Sequence, residues 1–262
     1  MSDSTQLAVQ LFTLREHIKT VPDIASTFEK LAKQGWRAVQ DSAMGEISTE
    51  ELKKIADDNG IKIIASHVPL ERIEEDAQKV IDRHAALDIK YSSVGGFFPK
   101  DEDFTKDNWD AYIDRFNGVV DLLEGSELRF GYHIHSHEWI RLGDPLTAPR
   151  PIDLLFERIV PRSWIELDTY WIAHAGGNPA AWIQKCSGNL PCIHLKDMLI
   201  STPGRTQKMA EVGVGNLDWA GILPACKEAG VEWYIVEEDH CWRDPFDSLK
   251  TSLENLQAMG LH

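Results

Sequence analysis

Residues 130–139 read Phe-Gly-Tyr-His-Ile-His-Ser-His-Glu-Trp and lie near the middle of a chain of 262 residues. His133, His135 and His137 occupy alternate positions, and Glu138 follows directly. A β-strand places alternate side chains on one face, so this spacing predicts a strand with imidazoles along one side. Imidazoles are frequent metal ligands. The stretch is therefore predicted to supply part of a metal site at the mouth of a barrel.

Units of one strand and one helix precede and follow this stretch. We predict strands at Leu7–Leu14, Trp36–Gln40, Ile61–Val68, Ile89–Phe98, Phe130–Trp139, Trp164–Trp171, Pro191–Lys196 and Trp233–Glu238. Helices are predicted at Pro22–Gln34, Ser48–Asn59, Ile73–Leu87, Asn108–Leu123, Ile152–Ile159, Pro179–Lys185, Asp218–Glu228 and Pro245–Met259. Eight such units in order, with no break in composition, predict a single (β/α)₈ TIM barrel over residues 1–262 rather than an open doubly wound sheet.

The composition argues against several classes of protein. No run approaches 18 apolar residues, so no membrane span is expected. Residues 1–6 lack the basic start and apolar stretch of a signal peptide, which predicts a cytoplasmic location. The formal charge of −15 repels polyphosphates and therefore argues against nucleic acid or an anionic membrane as a partner.

Charged and imidazole side chains mark the ends of the last four predicted strands. Active sites of (β/α)₈ barrels form where the strands end. The residues at these ends are Glu138, Asp168, His194 and Glu237. Three carboxylates and one imidazole suit a divalent cation, and we predict Mn²⁺, with Mg²⁺, Co²⁺ or Zn²⁺ as alternatives.

Two of these positions have competing assignments. Glu237 is preferred to Glu238 because it shares a face with the apolar residues of its strand. Strict alternation, however, places Glu138 opposite the three neighbouring histidines. Either a bulge or the strand end at Ser136–His137 turns Glu138 inward, or His133 or His135 is the true ligand, and these alternatives stay open.

Further side chains are placed to contact a substrate. Lys196 follows His194 by two residues, so it shares that face, and we predict a catalytic role for it rather than that of a surface lysine. Trp171 follows the sixth strand and could form a wall against a sugar ring; the alternative is simple packing. The predicted substrate contacts are His67, His133, His135 and Trp171.

Four motifs together resemble the sugar phosphate isomerase/epimerase group of the xylose isomerase-like barrels, a superfamily that also contains the AP endonuclease 2 barrels. The motifs are Tyr132-His-Ile-His-Ser-His-Glu-Trp139, Leu167-Asp-Thr-Tyr-Trp171, His194-Leu-Lys-Asp197 and Ile235-Val-Glu-Glu-Asp239. The resemblance implies metal ligands at Glu138, Asp168, His194 and Glu237. It also implies that Glu138 and Glu237 move protons on opposite faces of the sugar. Two departures are Ile134, where relatives commonly have asparagine, and Gln40, where the second strand often ends in glutamate.

The leading hypothesis is a metal-dependent isomerase or epimerase of a sugar or keto-sugar. It would remove a proton next to a carbonyl and form an enediolate held by the metal. The alternative is a lyase or dehydratase that expels water or an aglycone from a keto-sugar or keto-inositol. A non-catalytic sugar-binding subunit is a third hypothesis, disfavoured by the ligand set. The expected partner is a small-molecule sugar, and a homo-oligomer is left open.

Overall fold

The computed structural model describes residues 6–262. Eight parallel strands close into a barrel in the order β1-β2-β3-β4-β5-β6-β7-β10, and β8 pairs with β9 in a separate antiparallel hairpin. The strands are β1 (Leu7–Gln10), β2 (Ala38–Asp41), β3 (Lys62–His67), β4 (Tyr91–Val94), β5 (Arg129–His133), β6 (Trp164–Asp168), β7 (Cys192–Leu195), β8 (Asp197–Ser201), β9 (Thr206–Ala210) and β10 (Trp233–Val236). The predicted TIM barrel is confirmed. The absence of a signal peptide was predicted from residues 1–6, and of these only Gln6 lies in the described part.

Helices connect successive barrel strands. They are α1 (Val21–Gln34), α2 (Thr49–Asn59), α3 (Leu70–Glu75), α4 (Ala77–Ala86), α5 (Lys106–Leu122), α6 (Pro151–Arg158), α7 (Thr169–His174), α8 (Pro179–Lys185), α9 (Trp219–Ala229) and α10 (Pro245–Ala258). The side chain of Ser48 accepts a hydrogen bond from the Glu51 backbone N–H and so caps α2. None of the helices in residues 6–262 is long and apolar enough to cross a membrane.

Several strands are shorter than predicted because a 3₁₀ element begins inside the predicted segment. β1 ends at Gln10, and the next residues form a 3₁₀ helix, Leu11–His17, whose leucines are also buried. β5 likewise ends at His133 and is followed by a 3₁₀ turn, Ser136–Trp139. The predicted helix Ile73–Leu87 is divided into α3 and α4 at Asp76, where the backbone is extended. The hairpin of β8 and β9 was not predicted.

The barrel interior changes from apolar at one end to polar at the other. Its lower end is filled by a buried cluster of Ala8, Ala38, Ile64, Ala65, Tyr91, Trp164, Cys192 and Ile235. Gly131 makes room for this filling, since a Cβ there would lie 2.5 Å from the Trp164 ring. Glu166 and Asp168 follow Trp164 at two-residue intervals and are fully buried. The same strands therefore seal the lower end and carry polar groups to the mouth.

Candidate metal centre

Four side chains meet at the polar end of the barrel. His133 ends β5, Asp168 ends β6, His194 lies in β7, and Glu237 directly follows β10. Each offers one ligand atom, and the four atoms all lie within 4.8 Å of one another. The four residues are between 0 and 3% exposed. The structure thus brings Asp168, His194 and Glu237 together with His133, and it places Glu237 rather than Glu238 in the group.

Unpartnered polar atoms indicate what the group would bind. His133 Nδ1, Asp168 Oδ2, His194 Nδ1 and Glu237 Oε2 are buried and make no hydrogen bond. His194 Nδ1 is 2.8 Å from Glu237 Oε2, but the angles are not those of a hydrogen bond. Buried polar groups are normally hydrogen-bonded, so these converging atoms, of which Lys196 contacts only the two carboxylate oxygens, fit a cation between them. Two imidazoles and two carboxylates suit Mn²⁺, Co²⁺ or Zn²⁺ better than the all-oxygen set that Mg²⁺ prefers.

Lys196 is fully buried behind this group. Its Nζ lies 3.1 Å from Asp168 Oδ2, 2.8 Å from Glu237 Oε2 and 3.0 Å from Asp239 Oδ2. Burial alone would lower the pKa of Lys196, but these three carboxylates hold it well above its usual range. The lysine is therefore charged and offsets part of the negative charge beside the candidate ligands.

The surroundings of the two histidines shift their pKa values in opposite directions. Burial holds the pKa of His133 well below its usual range, so its imidazole is neutral and has a free lone pair. Burial would also lower the pKa of His194, but the carboxylates of Glu166 and Glu237 raise it to about 10. Burial raises the pKa of Asp168 to about 6, against the opposing effect of Lys196. A divalent ion would take the place of the His194 proton, as expected when metals bind protonated ligands.

Glu138 lies outside this group. Its Oε1 accepts a hydrogen bond of 2.8 Å from Tyr132 Oη, and its Oε2 accepts one of 2.8 Å from the His135 backbone N–H. Because β5 ends at His133, Glu138 falls in the following 3₁₀ turn and caps it. The structure therefore differs from the ligand set expected from the sequence and favours one of its open alternatives, His133. His137 is also held elsewhere, since its Nε2 lies 2.8 Å from the Phe97 carbonyl oxygen.

Replacing Glu138 with glutamine is expected to leave metal binding unchanged and to flatten the pH dependence of stability. Burial raises the pKa of Glu138 to about 8. The folded state therefore keeps a proton that the unfolded state loses near its ordinary pKa of about 4.5. Stability falls as pH rises between these values, and the glutamine variant lacks this contribution. Urea unfolding at pH 5 and pH 8, with metal analysis of both proteins, tests this. Loss of the metal would instead make Glu138 a ligand.

A cavity of about 1480 Å³ opens beside the candidate metal ligands. Its lining includes His67, His133, His135, Glu237 and Asp239. The ring of Trp171 lies 5.3 Å from that of His135 between centroids, and its centroid is 5.5 Å from Lys196 Nζ. Three of the predicted substrate contacts, His67, His133 and His135, thus line one cavity, whereas Trp171 packs against His135 and is not among the lining residues.

Glu166 is the main site residue missed in the sequence. Its Oε2 lies 2.8 Å from His67 Nε2 and accepts a hydrogen bond of 2.7 Å from Ser93 Oγ. Its Oε1 accepts one of 2.8 Å from Gln40 Nε2 and lies 3.3 Å from His194 Nε2. The available signal was its position two residues before Asp168, which places both on one strand face.

A family model described as xylose isomerase-like TIM barrel matches residues 28–259, and the chain belongs to this family. A solved sugar phosphate isomerase/epimerase from Parabacteroides distasonis ATCC 8503 is similar at 23% identity, with a TM-score of 0.80 over 97% of this chain and 98% of that one. A D-allulose 3-epimerase from Methylomonas sp. has 13% identity and a TM-score of 0.70, over 98% and 97%. An AP endonuclease of family 2 from Brucella melitensis has 14% identity and a TM-score of 0.69, over 94% and 97%. A comparison with curated protein sequences gave no match. At these identities the structural similarities establish the fold alone.

Proposed function

We propose that the protein is a metal-dependent isomerase or epimerase of a sugar or keto-sugar. The observation that carries the proposal is the group of converging, buried ligand atoms beside a cavity that Glu237 and four histidines line. We propose Mn²⁺ as the ion, with Co²⁺, Zn²⁺ and Mg²⁺ as alternatives, held by His133, Asp168, His194 and Glu237. When bound, such an ion polarises a substrate carbonyl and acidifies the neighbouring C–H.

Glu237 is the proposed base that removes this proton. Burial would raise the pKa of its carboxyl, but Lys196 and His194 hold it well below its usual range. The carboxylate is therefore ionised at neutral pH and available to accept a proton. It lines the cavity, whereas Lys196 is fully buried. We accordingly assign Lys196 the task of holding the Glu237 carboxylate in place and charged.

His67 is the proposed second proton carrier, in the role first expected for Glu138. Its Nε2 faces the Glu166 carboxylate at 2.8 Å, and a carboxylate only accepts hydrogen bonds. Nε2 therefore carries the hydrogen, and Nδ1 keeps its lone pair near Ser42 Oγ, at 3.4 Å. Glu166 orients the imidazole in the manner of the third member of a catalytic triad. The histidine and Glu237 line the same cavity from β3 and from the loop after β10.

The proposed substrate is a small sugar rather than a nucleic acid. The cavity lining carries more carboxylates, among them Asp41, Glu237 and Asp239, than cationic side chains, which are Arg72, Lys79, Arg83 and Arg115. The whole chain has a formal charge of −15. Such a field repels a phosphate backbone, although one structural neighbour is an AP endonuclease.

A panel of ketopentoses and ketohexoses tests the proposed function. The Mn²⁺-loaded protein is incubated with each sugar in D₂O, and the products are analysed by NMR and mass spectrometry. We expect an epimer or aldose isomer with deuterium on the carbon next to the carbonyl. Loss of water or of an aglycone from a substituted substrate would identify a lyase instead. No reaction and no exchange with any sugar would contradict both.

Replacing Trp171 with alanine is expected to lower kcat/KM about tenfold without loss of the metal. The indole packs against His135, so its removal frees that side chain to move in the cavity. Trp139→Ala is the matched control, because the Trp139 ring packs on Trp182, with centroids 5.1 Å apart. The control is expected to lose stability but to keep its kinetic constants. Unchanged kinetics in Trp171→Ala would mean that Trp171 only packs.

A further inference from the structure

Two buried glutamines form a chain of hydrogen bonds below the candidate metal centre. The backbone N–H of Phe12 donates to Gln10 Oε1 at 3.3 Å. Gln10 Nε2 donates to Gln40 Oε1 at 2.8 Å, and Gln40 Nε2 donates to Glu166 Oε1 at 2.8 Å. Gln10, Gln40 and Glu166 are all 0% exposed, so water does not compete for these bonds. We call this chain, Gln10–Gln40–Glu166, the amide relay.

The groups at both ends of the amide relay fix the orientation of its two side-chain amides. A backbone N–H can only donate, so it must meet the oxygen of the Gln10 amide. The Glu166 carboxylate has only acceptor atoms, so its Oε1 must meet the nitrogen of the Gln40 amide. Reversing the Gln40 amide would place oxygen against oxygen at Glu166 and nitrogen against nitrogen at Gln10. The oxygen of Gln40 is therefore the atom that faces His194.

This direction determines which nitrogen of His194 carries hydrogen in the metal-bound state. His194 Nε2 is 2.7 Å from Gln40 Oε1 and 3.3 Å from Glu166 Oε1, and both atoms are acceptors. Nε2 must then be the N–H nitrogen. Nδ1 faces Glu237 Oε2 at 2.8 Å and Asp168 Oδ2 at 3.9 Å, on the side of the other candidate ligands.

We propose that the amide relay holds His194 as the Nε2–H tautomer and thereby presents Nδ1 to the metal ion. Gln10 and Gln40 are positioning residues in this proposal, which rests on the metal centre of the proposed function. Metal-bound histidines commonly donate their other N–H to such an acceptor, and its loss typically costs 10- to 100-fold in metal affinity. A glutamate at position 40 would face Glu166 with a second carboxylate, so the amide avoids a like-charge contact.

The test uses Zn²⁺ as the probe and needs no substrate. Zinc affinity is measured by competition with a chelator for the wild type, Gln40→Met and Gln10→Met. Methionine keeps an unbranched side chain of similar size but has no amide. We expect about 10- to 100-fold weaker zinc binding in Gln40→Met and a smaller loss in Gln10→Met, which cuts the relay one step earlier. Gln34→Met is the matched control, since Gln34 Nε2 donates to the Phe246 carbonyl oxygen in α10.

A spectroscopic readout separates positioning from simple destabilisation. In ¹⁵N-histidine-labelled, zinc-loaded wild type, we expect His194 to show a protected Nε2–H and a zinc-bound Nδ1. The signal is assigned by its absence in His194→Gln. Zinc bound through Nε2, or unchanged zinc affinity in a folded Gln40→Met, would overturn the proposal. If the wild type binds no zinc, the proposed metal centre fails, and the metal-free spectrum still decides whether Nε2–H faces Gln40.

Discussion

Replacing His194 with alanine is expected to reduce bound metal from one ion per chain to a small fraction of that value. His194 contributes one of four converging ligand atoms and contacts both candidate carboxylates. Loss of a ligand should weaken binding by more than the roughly 100-fold that removal of an outer partner can cost. Elemental analysis after dialysis against Mn²⁺, together with a chelator competition, measures this change.

His84→Ala is the matched control for this experiment. His84 is also a buried histidine, but its Nε2 contacts Ser66 Oγ and its Nδ1 contacts the Val80 carbonyl oxygen, each at 2.7 Å. This variant is expected to lose stability through unsatisfied partners and to keep its metal. Full occupancy in His194→Ala, with the barrel folded, would show that the metal centre lies elsewhere or is absent.

Replacing Glu237 with glutamine is expected to lower kcat by on the order of 100-fold or more. The amide keeps one oxygen towards the ion but cannot accept the substrate proton. Lys196 Nζ also loses the charged partner that lies 2.8 Å away. The rate of conversion, and the rate at which deuterium from D₂O enters the substrate, should fall together, because both require removal of the same proton.

Glu238→Gln is the matched control for Glu237→Gln. Glu238 is the next residue and is also buried, but its carboxylate lies outside the metal group and has no hydrogen-bond partner. Burial raises the pKa of Glu238 to about 8, so the carboxyl is mostly protonated at neutral pH, and the equally neutral glutamine should preserve stability and leave kcat within a few-fold. Equal losses in both variants would argue against a specific proton-transfer role. Conversion by the wild type without deuterium in the product would indicate a hydride shift.

The sequence predicted the parts of the site that depend on strand ends. Asp168, His194 and Glu237 each end one of three successive predicted strands, and the structure brings these three side chains together. Their role as metal ligands stays a prediction. The three side chains lie together because the parallel strands of a barrel have their carboxyl ends at one mouth. The choice of Glu237 over Glu238 followed from alternation, which holds to the end of β10.

Glu138 was predicted from the same pattern but lies outside the group that the other three residues join. The alternating histidines run from His133 to His137, and alternation alone gives no sign of where β5 ends. The strand ends at His133 because Glu138 caps the next turn through the His135 N–H and accepts from Tyr132 Oη. The chain could continue as a strand or form the capped 3₁₀ turn, and the hydrogen bond from the buried Tyr132 of β5 favours the turn. The unpredicted hairpin of β8 and β9 likewise depends on Asp197, which accepts from Gly213, Gly215 and Leu217.

By itself the sequence determined the eight-fold alternation of strand and helix, the barrel and the polar end at which chemistry would lie. These features follow from local periodicity, since two-residue and 3.6-residue patterns can be read along a single segment. Only the tertiary structure decided that His133 rather than Glu138 joins Asp168, His194 and Glu237, and that Glu166 and Gln40 stand behind them. The physical reason is that Gln40 and Glu166 come from opposite parts of the chain, 126 residues apart, and meet only when the barrel closes. Closure of the barrel decides which side chains hydrogen-bond across it, and the periodicity of a single strand cannot predict these partners.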